Sequence, residues 1–173
     1  MSTALKEFVK SLRRLPRIII LDIDCTLWPF WVDTHVSPPF KSDGNGGATD
    51  RYGFKIKLYK EIRSIFDDLK QLGIPIAAAS RTEDPAASRE LLGVLGIDKC
   101  FQQLEIFPNR KFAHFDNIRK ASGVSYTDML FFDDEERNIH DISTLGVTCV
   151  LIDEDDGLDY KILRSGFDAF NKD

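Results

Sequence analysis

The sequence predicts an α/β fold in which helices cover both faces of a doubly wound, three-layer parallel sheet. Its apolar runs are continuous rather than alternating, as in strands that are buried on both faces. Segments with helical periodicity separate these runs, and alternation of strands with helices is typical of parallel sheets. With 173 residues, 43% of them hydrophobic, the chain is long enough for one such core. We therefore expect a single domain over residues 1–173.

The predicted elements follow one another in a regular order. A first helix near the N-terminus precedes the sheet. Strands are predicted at residues 17–22, 74–80, 129–134 and 147–152, with a weaker fifth candidate at 102–107. Helices are predicted at residues 59–72, 84–94, 112–121, 136–144 and 158–171. Gly73 and Gly146 follow two of these helices, where a left-handed residue commonly ends the helix.

One segment interrupts this order. Residues 28–57 form a long insert after the first predicted strand, aromatic at its start and glycine-rich at "SDGNGGATDRYG". Loops of this length in a compact domain commonly carry function or fold into a hairpin. We predict a small hairpin flap here and no large cap domain.

Composition excludes several classes of partner and compartment. A formal net charge of −5 argues against nucleic acid, because phosphate backbones are bound by an excess of Lys and Arg. The three cysteines are widely spaced and show no disulfide framework, which favours a reducing compartment. No apolar run reaches the roughly 20 residues that span a bilayer. We expect a cytoplasmic protein without a membrane partner, and a monomer is favoured.

Paired aspartates follow two of the predicted strands. Asp22 and Asp24 end "RIIILDID", and Asp133 and Asp134 end "MLFFDD". Ligands of open parallel sheets bind beyond the carboxyl ends of the strands. Two buried carboxylates are costly unless a cation neutralises them, and oxygen ligands suit Mg²⁺. The alternatives are a surface turn for the first pair and an acidic helix N-terminus for the second.

Two further residues suggest an anion site near these carboxylates. Ser80 ends another predicted strand at "AAASRT". Its hydroxyl, with the next backbone N–H groups, could hold a phosphate at the start of a helix. Lys111, in "FPNRKFAHF", could supply a compensating positive charge. The order of acid pair, Ser, Lys and acid pair makes both residues stronger candidates than either would be alone.

At this point the sequence resembles the haloacid dehalogenase-like hydrolases. Their four motifs correspond here to "DIDCT", Ser80, Lys111 and "DDEERN". The resemblance spans roughly residues 15 to 152 and is closer to one group of magnesium-dependent phosphatases, with "TLWPFWVDTH" as its most specific stretch. It implies Mg²⁺ as the cofactor and hydrolysis through an aspartyl-phosphate.

The resemblance also implies roles for individual residues. Asp22 would be the nucleophile and a metal ligand. Asp24 would be the general acid and base, and its backbone carbonyl a second metal ligand. Asp134 would be the direct carboxylate ligand, with Asp133 beside the metal-bound waters and Asn138 supporting Asp134.

The remaining predictions concern the phosphate and the entrance to the site. Thr26, Ser80 and Lys111 would bind the phosphoryl group, and Arg81 would meet anionic groups of the substrate. Three flap candidates, Trp28, Trp31 and His35, would line the substrate mouth. The alternative is that these aromatic residues only pack the insert against the domain.

Together these interpretations predict a Mg²⁺-dependent phosphomonoester hydrolase. The resemblance implies phosphotyrosine-like esters and sugar phosphates, including fructosamine phosphates, as substrates. The partner would be a phosphorylated small molecule or a phosphorylated or glycated protein side chain. Two alternatives stay open: a capless protein phosphoserine phosphatase, and a non-catalytic phosphate-binding module on the same fold.

Overall fold

The chain folds around a five-stranded parallel sheet in a computed structural model that describes residues 3–172. In chain order the strands are β1 (Ile18–Leu21), β2 (Lys41–Ser42), β3 (Ala48–Thr49), β4 (Lys55–Ile56), β5 (Ile76–Ser80), β6 (Gln103–Ile106), β7 (Met129–Asp133) and β8 (Thr148–Leu151). The α-helices are α1 (Thr3–Ser11), α2 (Val32–His35), α3 (Ile62–Leu72), α4 (Pro85–Val94), α5 (Lys111–Ser122), α6 (Glu136–Ser143) and α7 (Tyr160–Phe170).

The central sheet has the strand order β6-β5-β1-β7-β8, and all of its pairings are parallel. The predicted α/β class is therefore confirmed, and so is the weaker strand candidate, which is β6. Strand β1 lies in the middle, with Ile20 opposite Ala77 of β5 and Phe131 of β7. Because neighbouring parallel strands end at one edge, this order brings the ends of β1, β5 and β7 together.

Alternation along β1 divides the core between the two faces of the sheet. Ile19 and Leu21 belong to the apolar cluster that includes buried residues of α3, α4 and α7. Ile18 and Ile20 belong to a second cluster with buried residues of α5 and α6. All four side chains are at most 1% exposed, which explains why the run is continuously apolar.

The structure places two helix boundaries by identifiable contacts. Helix α3 ends at Gly73, which adopts the predicted left-handed conformation with φ of 70°. Its start at Ile62 lies three residues after the predicted start at residue 59. Tyr59 precedes the helix, and its backbone N–H donates to the carbonyl of Leu27 at 2.9 Å. Helix α7 begins after Asp159, whose side chain accepts a hydrogen bond from the Ile162 backbone N–H at 2.7 Å.

The insert contains helix α2 and a small antiparallel sheet in the order β2-β3-β4. Asp50 organises the turn between β3 and β4, because its carboxylate accepts hydrogen bonds from the backbone N–H groups of Ser37, Tyr52 and Phe54. The predicted hairpin flap is confirmed. Within residues 3–172 no larger cap is present.

The two terminal helices pack against each other. The rings of Phe8 in α1 and Phe167 in α7 have centroids 6.4 Å apart. Asn171 Oδ1 accepts hydrogen bonds from the backbone N–H groups of Arg13 and Arg14 at 2.9 and 3.0 Å. The predicted first helix is therefore part of the packed core. Over the described residues, no helix has both the length and the apolar character needed to cross a membrane.

Candidate active site

A cavity of about 300 Å³ opens where β1, β5 and β7 end. It is lined by Asp22, Asp24, Trp31, Asp33, Ser80, Arg81, Thr82, Glu83, Lys111, Asp134, Glu135, Arg137 and Asn138. These residues lie far apart in the sequence, and the parallel strand order brings them together. The predicted site residues absent from this lining are Thr26, Trp28, His35 and Asp133.

Lys111 is the buried cation of the site. Its side chain is 1% exposed, and Nζ donates to Asp22 Oδ1 at 2.6 Å and also to Asp133 Oδ2. Burial works against the charged ammonium, but the carboxylates of Asp133 and Asp22 outweigh it and raise the pKa of Lys111. Lys111 is the first residue of α5, so this helix fixes the ammonium beside the end of β1.

Asp133 holds this cation in place and is itself fully buried. Besides Lys111, its carboxylate accepts hydrogen bonds from the Glu135 backbone N–H at 2.8 Å and from Asn138 Nδ2 at 3.0 and 3.2 Å. The predicted support of Asp134 by Asn138 is therefore wrong, because the Asn138 amide group donates hydrogen bonds to Asp133 instead. The register of α6 explains this, because it turns Asn138 back toward the buried end of β7.

Three carboxylates form a group that fits a hard cation. One oxygen each of Asp22, Asp133 and Asp134 lies within 4.8 Å of the other two. Burial raises the pKa of Asp22 well above its ordinary value; Lys111 opposes this effect, while Asp133 and Asp134 add to it. Burial, followed by the Asp133 charge, raises the pKa of Asp134 to about 6. Such mutual repulsion between oxygen donors is what a divalent cation relieves, and Mg²⁺ prefers oxygen ligands. The metal-ligand role of the Asp24 backbone carbonyl stays a prediction.

Asp24 lies on the same cavity wall as Asp22 but in different surroundings. Its Oδ1 accepts a hydrogen bond from Trp28 Nε1 at 2.8 Å, and its Oδ2 accepts one from the Val32 backbone N–H at 3.2 Å. Burial raises the pKa of Asp24 to about 7, although both hydrogen bonds favour the carboxylate. A carboxyl group with this pKa can both give and take a proton near neutral pH.

Ser80 and Arg81 occupy the opposite wall. Ser80 is 2% exposed and lines the cavity. Its carbonyl is held by the Phe107 backbone N–H at 3.2 Å and by His114 Nε2 at 2.9 Å. Arg81 is held by three hydrogen bonds, to the Asn109 carbonyl at 3.0 Å, Glu135 Oε2 at 3.3 Å and Asn138 Oδ1 at 3.2 Å. Ser80 Oγ accepts a hydrogen bond from the Thr82 backbone N–H at 3.4 Å, so both side chains have protein partners before any ligand arrives.

The structure does not place Thr26 where the sequence predicts it. Thr26 is fully buried and does not line the cavity, and its hydroxyl has no hydrogen-bond partner among the described residues. The turn after Asp24 explains the difference. Cys25 adopts a left-handed conformation with φ of 53°, and the Thr26 carbonyl accepts a hydrogen bond from the Leu158 backbone N–H at 3.1 Å. Direct contact of Thr26 with a phosphoryl group is thus not supported.

Two of the three flap candidates, Trp28 and His35, do not line the cavity. Trp28 is fully buried and contacts Asp24, so it packs the insert against the domain, as the alternative interpretation holds. His35 is exposed, and its Nδ1 accepts a hydrogen bond from the Trp31 backbone N–H at 3.0 Å. Trp31 alone of the three lines the cavity, with 47% of its surface exposed.

Sequence reasoning missed four polar residues of the cavity wall: Thr82, Glu83, Glu135 and Arg137. Asp33, which the flap hypothesis groups with Trp31 and His35 at the substrate mouth, does line the cavity. Asp33 Oδ2 accepts hydrogen bonds from the Glu83 backbone N–H at 2.9 Å and from Thr82 Oγ1 at 3.2 Å. Burial opposes its ionisation, but these hydrogen bonds lower the pKa of Asp33. Each missed residue lies within a few residues of a predicted site residue. This closeness in sequence is the signal that could have identified them.

Comparison with known protein families identifies the family to which this chain belongs. The family described as Acid Phosphatase matches residues 14–173. The chain belongs to the acid phosphatase family. The predicted resemblance to haloacid dehalogenase-like hydrolases is confirmed by its relatives, and the predicted phosphatase class is confirmed with it.

Two curated relatives of this acid phosphatase family member cover most of the chain. Magnesium-dependent phosphatase 1 of Homo sapiens is 43% identical over 159 residues, which are 92% of this chain and 89% of that protein. Its name agrees with the predicted cofactor. A HAD-like hydrolase superfamily protein of Schizosaccharomyces pombe is 36% identical over 77% of this chain and 83% of its own length.

A solved structure confirms the fold of this family member. The crystal structure of a HAD-superfamily hydrolase from Ehrlichia chaffeensis has a TM-score of 0.65 to this chain. The match covers 91% of this chain and 98% of the Ehrlichia chain. The sequences are 11% identical, so this likeness concerns the fold alone.

Proposed function

We propose that this chain is a Mg²⁺-dependent phosphomonoester hydrolase that acts through an aspartyl-phosphate intermediate. The observation that carries the proposal is the buried ammonium of Lys111, which joins Asp22 to Asp133 at the end of the sheet. It supports Asp22 as a nucleophile, since a neighbouring cation favours the ionised carboxylate. Asp22 and Asp134 would hold Mg²⁺, which supplies charge neutralisation for the carboxylates and the phosphoryl oxygens when bound.

In the first step Asp22 attacks the phosphorus atom. A bond forms between an Asp22 carboxylate oxygen and phosphorus, and the bond between phosphorus and the leaving oxygen breaks. Protonated Asp24 gives its proton to that oxygen, so the alcohol leaves uncharged. Asp24 suits this role because burial raises its pKa to about 7.

In the second step water hydrolyses the intermediate. Asp24, now a carboxylate, takes a proton from the attacking water, and the bond between phosphorus and Asp22 breaks. Inorganic phosphate leaves, and both aspartates return to their starting states. Ser80 and Lys111 would bind phosphoryl oxygens in both steps, and Arg81 would meet further anionic groups. We assign Thr26 no direct contact in these steps, because its side chain is fully buried and does not line the cavity.

The substrate class follows from the rim of the cavity. We propose phosphotyrosine-like esters and sugar phosphates, including fructosamine phosphates on glycated proteins. Trp31 is half exposed beside the catalytic aspartates and can stack on a planar or sugar ring. Tyr52 and Phe54 of the insert are also exposed, at 80% and 51%. Only Trp31 of these three lines the cavity, and its exposed ring supports either a protein side chain or a small molecule as the carrier of the phosphate.

We propose the cytoplasm as the compartment, with no nucleic-acid or membrane partner and a monomeric state. Three free cysteines, Cys25, Cys100 and Cys149, support a reducing environment. The net charge of −5 supports the absence of a nucleic-acid partner.

The test is hydrolysis of 4-nitrophenyl phosphate with and without Mg²⁺, using the wild type and Asp22→Asn. Asp116→Asn is the matched control, because Asp116 makes surface ion pairs with Arg119 and Lys120 outside the cavity. We expect turnover that requires Mg²⁺, is lost in Asp22→Asn and is retained in Asp116→Asn. A folded wild type without Mg²⁺-dependent turnover would favour the non-catalytic phosphate-binding module.

A panel of substrates then separates the remaining possibilities. Phosphotyrosine peptides, phosphoserine peptides and fructosamine phosphates are compared by kcat/KM. Preference for phosphoserine peptides would contradict the proposed class and favour the phosphoserine phosphatase alternative.

A further inference from the structure

The insert, rather than the sheet, holds the side chain of Asp24. Among the described residues, two hydrogen-bond donors to its carboxyl group belong to the start of the insert: Trp28 Nε1 at 2.8 Å from Oδ1, and the Val32 backbone N–H at 3.2 Å from Oδ2. A backbone bridge between Asp24 and Trp28 adds a further connection. The orientation of Asp24 therefore depends on how the insert packs.

The indole of Trp28 is fixed by its surroundings. Trp28 is fully buried, and its ring stacks on Phe30 with a centroid distance of 5.7 Å and an interplanar angle of 11°. Phe30 in turn meets the edge of Phe54 at 6.3 Å. The indole cannot turn away from Asp24 without disturbing this aromatic group, so its N–H is a preorganised donor.

The chemistry of the indole N–H distinguishes the two oxygens of Asp24. The group donates a hydrogen bond and cannot accept one. An oxygen that accepts such a short hydrogen bond is best left without a proton, because an unprotonated oxygen is the stronger acceptor. The contact of Oδ2 with Val32 is longer, which makes Oδ2 the better place for the proton of the neutral acid.

We infer that Trp28 is a positioning residue for proton transfer, which holds Asp24 by Oδ1 and leaves Oδ2 to exchange the proton with the leaving group and the water. The inference rests on the proposed acid and base role of Asp24. Proton balance is kept: Oδ2 loses its proton to the leaving oxygen in the first step and regains one from water in the second. Trp28 keeps its own proton throughout.

The test measures how strongly the rate depends on the leaving group. 4-Nitrophenolate is a stable anion that needs little protonation, whereas phenolate needs the acid more. General acids contribute about 10²–10⁴-fold. Partial misplacement by Trp28→Phe should therefore lower kcat/KM, which reports the first step alone, about tenfold for phenyl phosphate and about twofold or less for 4-nitrophenyl phosphate. The ratio of the two rates is the readout, since a general structural defect would lower both equally.

The matched control is Phe66→Leu, which disturbs a buried aromatic contact away from Trp28 and Asp24. Phe66 is 3% exposed, meets Phe101 at 5.3 Å and does not line the cavity. We expect any loss in Phe66→Leu to be equal for the two substrates. If Trp28→Phe leaves the ratio at the wild-type value, or if Phe66→Leu changes it by the same factor, the inference is overturned.

A second variant tests the same hydrogen bond in case Trp28→Phe does not fold. Benzothienylalanine replaces the indole N–H by sulfur with nearly the same shape, and it can be incorporated in place of tryptophan in a Trp31→Phe background. We expect the same change of ratio relative to that background. An unchanged ratio would overturn the inference even if Trp28→Phe does not fold.

Asp24→Asn separates this inference from the proposed function. If Asp24→Asn increases the sensitivity to the leaving group and Trp28→Phe does not, only the role of Trp28 fails. If Asp24→Asn leaves the sensitivity unchanged, the acid role of Asp24 fails, and the inference about Trp28 fails with it.

Discussion

The charges around Lys111 do not balance within the protein. Lys111 brings one positive charge between Asp22 and Asp133, and Asp134 adds a third carboxylate to the same group. Full ionisation of these carboxylates would therefore leave a net negative charge in a buried place, which is unfavourable. This excess agrees with the raised pKa values of Asp22 and Asp134. A divalent cation would restore the balance, and this is the physical reason for a metal at this position.

Replacement of Lys111 by methionine should destabilise the protein strongly. Removing one partner of a buried ion pair costs about 3–5 kcal/mol, because the other charge stays buried without compensation. We expect Lys111→Met to lose this amount in the free energy of unfolding from urea denaturation, and to lose phosphatase activity. The control is Lys120→Met, whose side chain is 66% exposed and pairs with Asp116 on the surface. Such surface pairs contribute about 0–1 kcal/mol. Equal losses in the two variants would contradict the structural role of Lys111.

His114 gives the folded protein a dependence on pH. Its Nε2 lies 2.9 Å from the Ser80 carbonyl and 3.0 Å from the Phe107 carbonyl, so Nε2 carries the hydrogen. Burial lowers the pKa of His114; the two carbonyl contacts oppose this effect, and the charge of Lys111 adds to it. The folded state thus favours the neutral ring.

The sign of the pH effect follows from this lowered pKa. The unfolded chain binds a proton at His114 as the pH falls through about 6.5, whereas the folded chain resists protonation. The contribution of neutral His114 to stability is present above this pH and is lost as the pH falls through the lower folded-state pKa. We expect His114→Gln to reduce the loss of stability between neutral and mildly acidic pH, as measured by urea denaturation. His140→Gln is the control, since His140 is exposed, and a reduction of equal size there would contradict the assignment.

At the scale of elements, the short helix α2 connects the insert to the phosphate side of the cavity. Asp33 in α2 binds the Glu83 backbone N–H and the Thr82 hydroxyl in the segment between β5 and α4. Two sides of the cavity are thereby joined across 50 residues of sequence. The position of Trp31 at the rim depends on this connection, because Trp31 directly precedes α2.

Asp33→Ala should loosen this connection. We expect faster backbone hydrogen exchange in residues 31–36 and at Glu83, corresponding to a loss of about 1 kcal/mol in the free energy of local opening. A rise in KM with a smaller change in kcat should accompany it, because the rim rather than the nucleophile is disturbed. Asp43→Ala is the control, because the Asp43 carboxylate accepts hydrogen bonds from the backbone N–H groups of Asn45 and Gly47 within the hairpin. Unchanged exchange at Glu83 in Asp33→Ala would contradict the prediction.

At the scale of the whole molecule, metal binding and folding should be coupled. The proposed ligands Asp22 and Asp134 directly follow β1 and β7, which pair with each other in the folded sheet. A ligand that binds only the folded state stabilises it by about 2.7 kcal/mol at 100 times its Kd. We therefore expect Mg²⁺ to raise the Tm of the wild type and to have little effect on Asp134→Asn.

Glu136→Gln is the matched control for this measurement. Glu136 is exposed in the first turn of α6, two residues from Asp134, and its substitution removes the same charge. We expect a shift of Tm by Mg²⁺ close to that of the wild type. A full shift in Asp134→Asn would show that Asp134 is not a ligand.

Local patterns predicted most of the fold. Continuous apolar runs such as Ile18–Leu21 identify strands that are buried on both faces, because polar residues cannot be tolerated on either side. The weakest prediction concerned β6, an edge strand with three half-buried residues, since edge strands have less apolar sequence. The start of α3 was also misplaced, and the contact of Tyr59 with Leu27 that precedes it is not local.

The sequence by itself determined which residues reach the edge of the sheet, because motifs at strand ends are carried there by the strands. Asp22, Asp24, Ser80 and Asp134 follow from this rule and line the cavity, whereas Lys111, at the start of α5, was identified by its place in the order of motifs. Only the tertiary structure decided where the neighbouring side chains point. The left-handed Cys25 buries Thr26, the aromatic packing of the insert turns Trp28 to Asp24, and α6 directs Asn138 to Asp133. The contacts themselves are short in sequence, but packing between distant residues holds the surrounding chain in place. The Leu158 N–H binds the Thr26 carbonyl, and Phe54 packs on Phe30 beside Trp28. Such packing exists only after the chain has folded.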